Sequence, residues 1–154
     1  MSEEQPIEAV LLELAEQVEQ FAQVLSASDE LLWREPVVGE WSAAMVVVHM
    51  SDAEVHVAAR LRRLLTEENE VYPNWSEADH AALSSERSPE IALAVIAGLR
   101  ASNSDLVRRL SAAALARTAT LPNGEIVDAV GLLERHVRHT AAHLHQARSA
   151  LTAQ

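Results

Sequence analysis

Apolar residues recur at helical spacing in four long stretches of the chain. Ile7, Val10, Leu11, Leu14, Val18, Phe21 and Leu25 predict a first helix from about Pro6 to Leu25. "SASDEL" ends it, and Ser28 followed by Asp29 and Glu30 marks the start of a short helical turn. Pro36 and Gly39 in "WREPVVGEWS" predict a loop, after which Ser42 caps a second helix reaching Leu65. The polar run "TEENEVYPNWSEADHAALSSERS", broken at Pro73-Asn74, predicts a long loop holding one short helix. Ser88-Pro89-Glu90 opens a third helix with a capping hydroxyl, a proline at the first helical position and an acid near the positive dipole end. That helix is expected to run to about Leu115. "LPNGE" then makes a turn, and a fourth helix covers about Ile126 to Leu151. The pattern predicts an all-α protein, a four-helix bundle with a long crossover loop, formed as one domain over residues 1–154.

Composition supports the class. Glycine (4), proline (5), phenylalanine (1) and tyrosine (1) are too scarce for the turns and packed faces of a sheet protein. The absence of cysteine removes disulfides, iron–sulfur clusters, thiolate zinc sites and a cysteine nucleophile. With 23 acids against 12 bases the chain carries a formal charge of −11, which repels a phosphate backbone, so nucleic acid is not expected as a partner. No apolar run approaches membrane-spanning length, and the start, "MSEEQPIEAV", is acidic where a signal peptide is basic. A cytoplasmic location away from membranes is the expectation.

The histidines change the picture. Four of the seven fall in "RHVRHTAAHLHQ", Arg135 to Gln146. At about 100° per residue, Val130, Leu133, Val137, Leu144 and Leu151 form a core stripe, Arg135, Arg138 and His145 lie opposite, and His136, His139 and His143 share a third arc. His139 and His143, spaced i, i+4, can turn their rings to one point as half of a metal site. His136 can pair with His139 at i, i+3, and spacing leaves both pairs open. No glutamate stands where a zincin-type protease places its general base.

A third ligand from another helix is available in "WSAAMVVVHMSDAEVHVAARLRRLL". His49 sits there among apolar neighbours, where an imidazole needs hydrogen bonds or a metal. Met45, Asp52, Ala53, His56 and Arg60 share its face. A polar stripe on the second helix facing one on the fourth is how bundles build interior metal sites. Asp52 is placed to orient a ligand ring or accept a proton, and Arg60 to meet an anionic substrate or an internal salt bridge. Glu54 points away from His49, as a surface or inter-helix ion-pairing group. His80 and His145 read as solvated, and Trp41 as a packing anchor. Tyr72, Trp75 and His80, in the loop from Val71 to Ser85, have no place fixed by pattern.

These stretches resemble a known family. "GEWSAAMVVVHMSDAEVHVAARL" is similar to the second-helix signature of the DinB-like four-helix-bundle superfamily, in which Trp-Ser opens a helix followed by an apolar run, "H-x-x-D-x-E" and an arginine. "HTAAHLHQAR" resembles its closing "H-x-x-x-H-L-x-Q-I/A-R", except that His145 stands where a small residue is more usual. The resemblance spans nearly the whole chain. It implies a metal triad of His49, His139 and His143, and places His136 behind the triad or at the surface. It also implies a divalent ion (zinc, nickel or iron) acting on a small-molecule substrate, in a protein that forms homodimers. The activity implied is that of a metal-dependent hydrolase, or of a transferase or isomerase using a low-molecular-weight thiol such as mycothiol or bacillithiol. Two other readings remain open: a non-catalytic metal-binding or stress-response bundle, and a structural bundle whose histidines are satisfied by hydrogen bonds.

Overall fold

The computed structural model describes residues 4–83 and 86–153; Ser84 and Ser85 of the Val71–Ser85 loop lie outside the described residues. Its helices are α1 (Glu4–Val24), α2 (Asp29–Trp33), α3 (Ala43–Thr66), α4 (Glu77–Ala81), α5 (Pro89–Arg108), α6 (Ala112–Leu115) and α7 (Ala129–Thr152), with strands β1 (Thr118–Thr120) and β2 (Ile126–Asp128) before the last helix. The caps explain where the long helices begin. Ser42 Oγ accepts from the Met45 amide at 3.3 Å, Ser88 Oγ from Ile91 at 3.2 Å, and Asp128 Oδ1 from Gly131 at 2.7 Å. No described helix is long and apolar enough to cross a membrane.

The long helices α1, α3, α5 and α7 form the expected four-helix bundle. α3 packs on α5 and α7, and α1 packs on the same two, so α1 lies diagonal to α3 and α5 diagonal to α7. Its central place is why α3 is apolar nearly all round at its start, with Ala43 to Met50 buried except for Met45. The core falls into two apolar halves. Leu11, Leu61, Leu64, Tyr72 and Leu133 belong to one, and Phe21, Val47, Met50, Ile96 and Leu144 to the other. Along each long helix a buried polar residue stands between the two halves: Gln17, Glu54, Arg100, and His136 with Thr140.

Two boundaries differ from the sequence expectation. The third helix ends at Arg108 rather than Leu115, and α6 is a separate turn capped by Ser111. Ile126–Asp128 is a strand rather than the first turn of the last helix. It pairs antiparallel with β1, Thr118 opposite Asp128 and Thr120 opposite Ile126, around the Leu121–Glu125 turn. Gly124 holds φ +85° there, a conformation costly for any residue with a Cβ. Asp128 explains the late start: its carboxylate is committed as N-cap, so the helix opens at Ala129. The hairpin also holds the crossover segment, since Thr120 exchanges backbone hydrogen bonds with Glu70 (2.8 Å) and Tyr72 (3.0 Å).

Candidate metal centre

His49 comes from the apolar first half of α3, and His139 and His143 from successive turns of α7. Since α3 and α7 are packed neighbours, one ring nitrogen of each comes within 4.8 Å of the other two. His139 Nε2 and His143 Nε2 are 3.1 Å apart. Two bonds of about 2.0–2.1 Å to a tetrahedral zinc ion separate ligand nitrogens by about 3.3 Å, so this pair already has ligand spacing. His49 is the decisive member. It is 1% exposed, and both its ring nitrogens are buried without a hydrogen-bond partner among the described residues. A buried polar atom left unpaired costs about 1–3 kcal/mol, and an ion bound by that nitrogen would offset it. The donor set therefore fits a divalent cation.

Local electrostatics keep the rings in the form that ligates. Burial pushes His49 down to about 4, helped by the neighbouring His143, and pushes His139 to about 4, helped by His143 and His136. Both are neutral imidazoles at pH 7. The Nδ1–H of His143 donates to Gln146 Oε1 at 2.9 Å, a partner that assigns the tautomer and turns the Nε2 lone pair toward His139. Two indoles enclose the cluster. Trp41 lies 4.8 Å from His49 and is stacked 6.2 Å from His143, and Trp75 is stacked on His49 at 5.8 Å.

One side stays open. A cleft of about 580 Å³ runs along α3 and α7 beneath the crossover and the hairpin tip, with His139, His136, Arg60, Trp75 and Leu121 among its walls. Glu77 is the one acid in that lining, and its Oε1 is 3.8 Å from His139 Nε2.

The description of the DinB superfamily matches residues 13–147, most of the chain. This chain belongs to the DinB superfamily. Relatives from Halalkalibacterium halodurans (29% identical over 70% of this chain and 65% of that one) and Oceanobacillus iheyensis (30% over 69% and 64%) both bear the name "putative metal-dependent hydrolase". The chain thus spans just under two thirds of their length. Among solved structures, YfiT from Bacillus subtilis superposes with a TM-score of 0.87 at 24% identity, covering 97% of this chain and 87% of that one. YfiT is described as a "probable metal-dependent hydrolase with an unusual four-helix bundle topology". The mycothiol-dependent maleylpyruvate isomerase shares the fold at TM-score 0.71 and 17% identity, covering 96% of this chain and 61% of that one.

Within this DinB-superfamily fold, some of the remaining candidates take their expected places and others do not. Asp52 does not orient a ligand ring: both its oxygens accept from Arg87, at 2.8 and 3.0 Å, because a guanidinium fork offers a carboxylate two aligned donors. His56 lies a turn beyond the triad, stacked on Trp75 at 4.3 Å with its Nε2 3.3 Å from His80 Nε2. His80 is therefore not simply solvated, whereas His145 is exposed as expected. Arg60 has no acid partner among the described residues; it donates to the Pro73 carbonyl at 3.2 Å and lies over the Tyr72 ring.

His136 is buried behind the triad with Glu54, and Glu54 is a buried ion-pairing group rather than a surface one. Glu54 Oε2 takes His136 Nε2 at 2.7 Å and Arg100 Nε at 2.8 Å. Burial pushes the Glu54 carboxyl up, but the hydrogen bonds and charges of His136 and Arg100 prevail and hold it below its ordinary value. Sequence reasoning left Trp75 unplaced, gave Gln146 no role toward His143, and missed Glu77 and Arg100. Only Gln146 had a legible signal, its i, i+3 spacing from His143.

Proposed function

We propose that the chain is a divalent-metal-dependent hydrolase whose ion is held by His49, His139 and His143. The observation that carries this reading is His49, a buried imidazole with both nitrogens unpartnered among the described residues, clustered with two more imidazoles on the neighbouring helix. Nothing else described near it answers that need. Zinc, nickel and ferrous iron all suit imidazole donors. Such an ion supplies Lewis acidity, acidifying a bound water and polarising an acyl oxygen.

The chain's own residues supply the rest. Gln146 fixes the ring of His143, and Trp41 and Trp75 exclude bulk water from one side of the cluster. Glu77 Oε1, at the lip beside His139, accepts a proton from an attacking water and returns it to a leaving group. A second reading, a transferase using an external low-molecular-weight thiol, is favoured by the absence of cysteine and by the mycothiol-dependent fold neighbour. It requires the same ion.

Metal analysis of untagged protein, beside a His139→Ala/His143→Ala double variant, tests the reading. The expected result is about one divalent ion per chain in the parent and none in the variant. Ester and amide substrates then separate a hydrolase from a thiol transferase. A parent that takes up neither zinc nor nickel on titration overturns both, and binding without turnover leaves a non-catalytic metal bundle.

A further inference from the structure

The cleft beside the histidine cluster has a charge at odds with the molecule. The chain's formal charge is −11, yet Arg60, Arg135 and Arg138 line this one cavity against the single carboxylate of Glu77. Only Arg135 is neutralised, by Glu125 at 2.8 Å. Among the described residues Arg138 has no hydrogen bond or ion pair, and Arg60 has only the Pro73 carbonyl and the face of Tyr72. Arg60 is also half-buried. Its guanidinium is pushed below its ordinary pKa by burial, with Arg135 repelling it. A partly desolvated guanidinium without a counter-ion is an unmet electrostatic demand, and a planar fork of donors matches an oxyanion. Beside the charges the lining offers an apolar portion, with Val57, Leu121, Leu132 and Trp75. A cleft of about 580 Å³ suits a small molecule rather than a polymer.

We infer that this cleft binds a small organic anion with an apolar body, its carboxylate or phosphate head gripped by Arg60 and Arg138 and its reactive end directed toward His139. This deepens the proposed function and rests on it for the reactive end alone; the anion grip stands on the arginines.

The test is calorimetric titration with phenylacetate, its uncharged amide phenylacetamide, and phenyl phosphate, on zinc-loaded and metal-free protein. The acids are expected to bind at least tenfold more tightly than the amide, and whichever acid is tighter identifies the head group. Arg60→Gln and Arg138→Gln should each weaken acid binding about tenfold, with or without zinc, and leave zinc stoichiometry unchanged. Acid and amide binding alike, no binding of either acid, or variants that bind as the parent does would overturn the inference. Anion selectivity in a chain that takes up no metal would retain the inference and remove the hydrolase; zinc uptake without selectivity would do the reverse.

Discussion

Two sets of polar side chains lie about a turn apart along α3 and α7, the first reaching on to α1 and α5, and they have opposite characters. One is the layer between the apolar halves, where Arg100 donates to Glu54, to the Leu14 carbonyl at 2.8 Å and to Thr140 Oγ1 at 2.9 Å. Gln17 closes it by donating to the Val137 carbonyl at 3.0 Å. The other is the histidine cluster, where His49 has no hydrogen-bond partner among the described residues. His49 is as deeply buried as Glu54 and Arg100, so burial does not tell structure from function here. Satisfaction does: a polar network that meets its own demands rigidifies the fold, and one that does not is built for something that arrives later.

The largest expected effect breaks the satisfied side. Arg100→Met leaves Glu54 as a buried charge with one partner fewer and strips Gln17, Thr140 and the Leu14 carbonyl of their donor. The expected loss is about 3–5 kcal/mol, read as a lowered urea midpoint of the metal-free protein, with zinc stoichiometry retained while it is folded. A loss under about 1 kcal/mol would make the layer an ordinary contact and erase the contrast.

The two sets were also unequally legible. His139 and His143 show themselves by i, i+4 spacing, and His49 by being the one imidazole inside "MVVVHM". Arg100 shows no such sign, and Glu54 only that it turns away from His49, which leaves a surface place and an inter-helix ion pair equally open. The two are 46 residues apart, and an arginine or glutamate on an amphipathic helix reads as surface until a partner is seen. Helix starts were legible where a serine caps, as at Ser42 and Ser88. They misled at Asp128, because a three-residue strand carries too little periodicity to compete with the helical pattern that follows. Trp75 and Glu77 sit in the crossover, whose path over α3 and α7 is set by the hairpin bonds of Thr120, a tertiary contact with no local signature.

A smaller effect sharpens the open side. Gln146 is to the cluster what Thr140 is to the layer, a positioning group that fixes a neighbour's orientation. Gln146→Ala is expected to weaken zinc binding about 10–100-fold in competition with a chromophoric chelator, while metal-free stability stays within about 0.5 kcal/mol of the parent. Gln146→Glu, which keeps an acceptor at Oε1, should recover most of the affinity. Unchanged affinity in Gln146→Ala would mean that the helix alone orients His143.

The smallest effect tests the unsatisfied state itself. His49 is held near 4 in the fold against an ordinary 6.5, so between those values the unfolded chain binds the proton that the folded one refuses. Stability of the metal-free protein therefore falls as pH drops from about 6.5 toward 4, and is not recovered below. Glu54 acts in a separate, lower window. Its depressed pKa stabilises the fold above its ordinary 4.5, and that contribution is lost only as pH falls through the lower folded value. His49→Leu removes both the orphaned nitrogens and the refused proton. Metal-free His49→Leu is expected to equal or exceed the parent at pH 7, and to lose about 1 kcal/mol less between pH 7 and pH 5, allowing for solvent screening at the cleft. Both follow from urea unfolding at the two pH values. A variant clearly less stable than the parent at pH 7 would show that His49 serves the fold as well as the site, and the distinction between the two polar sets would then be one of degree.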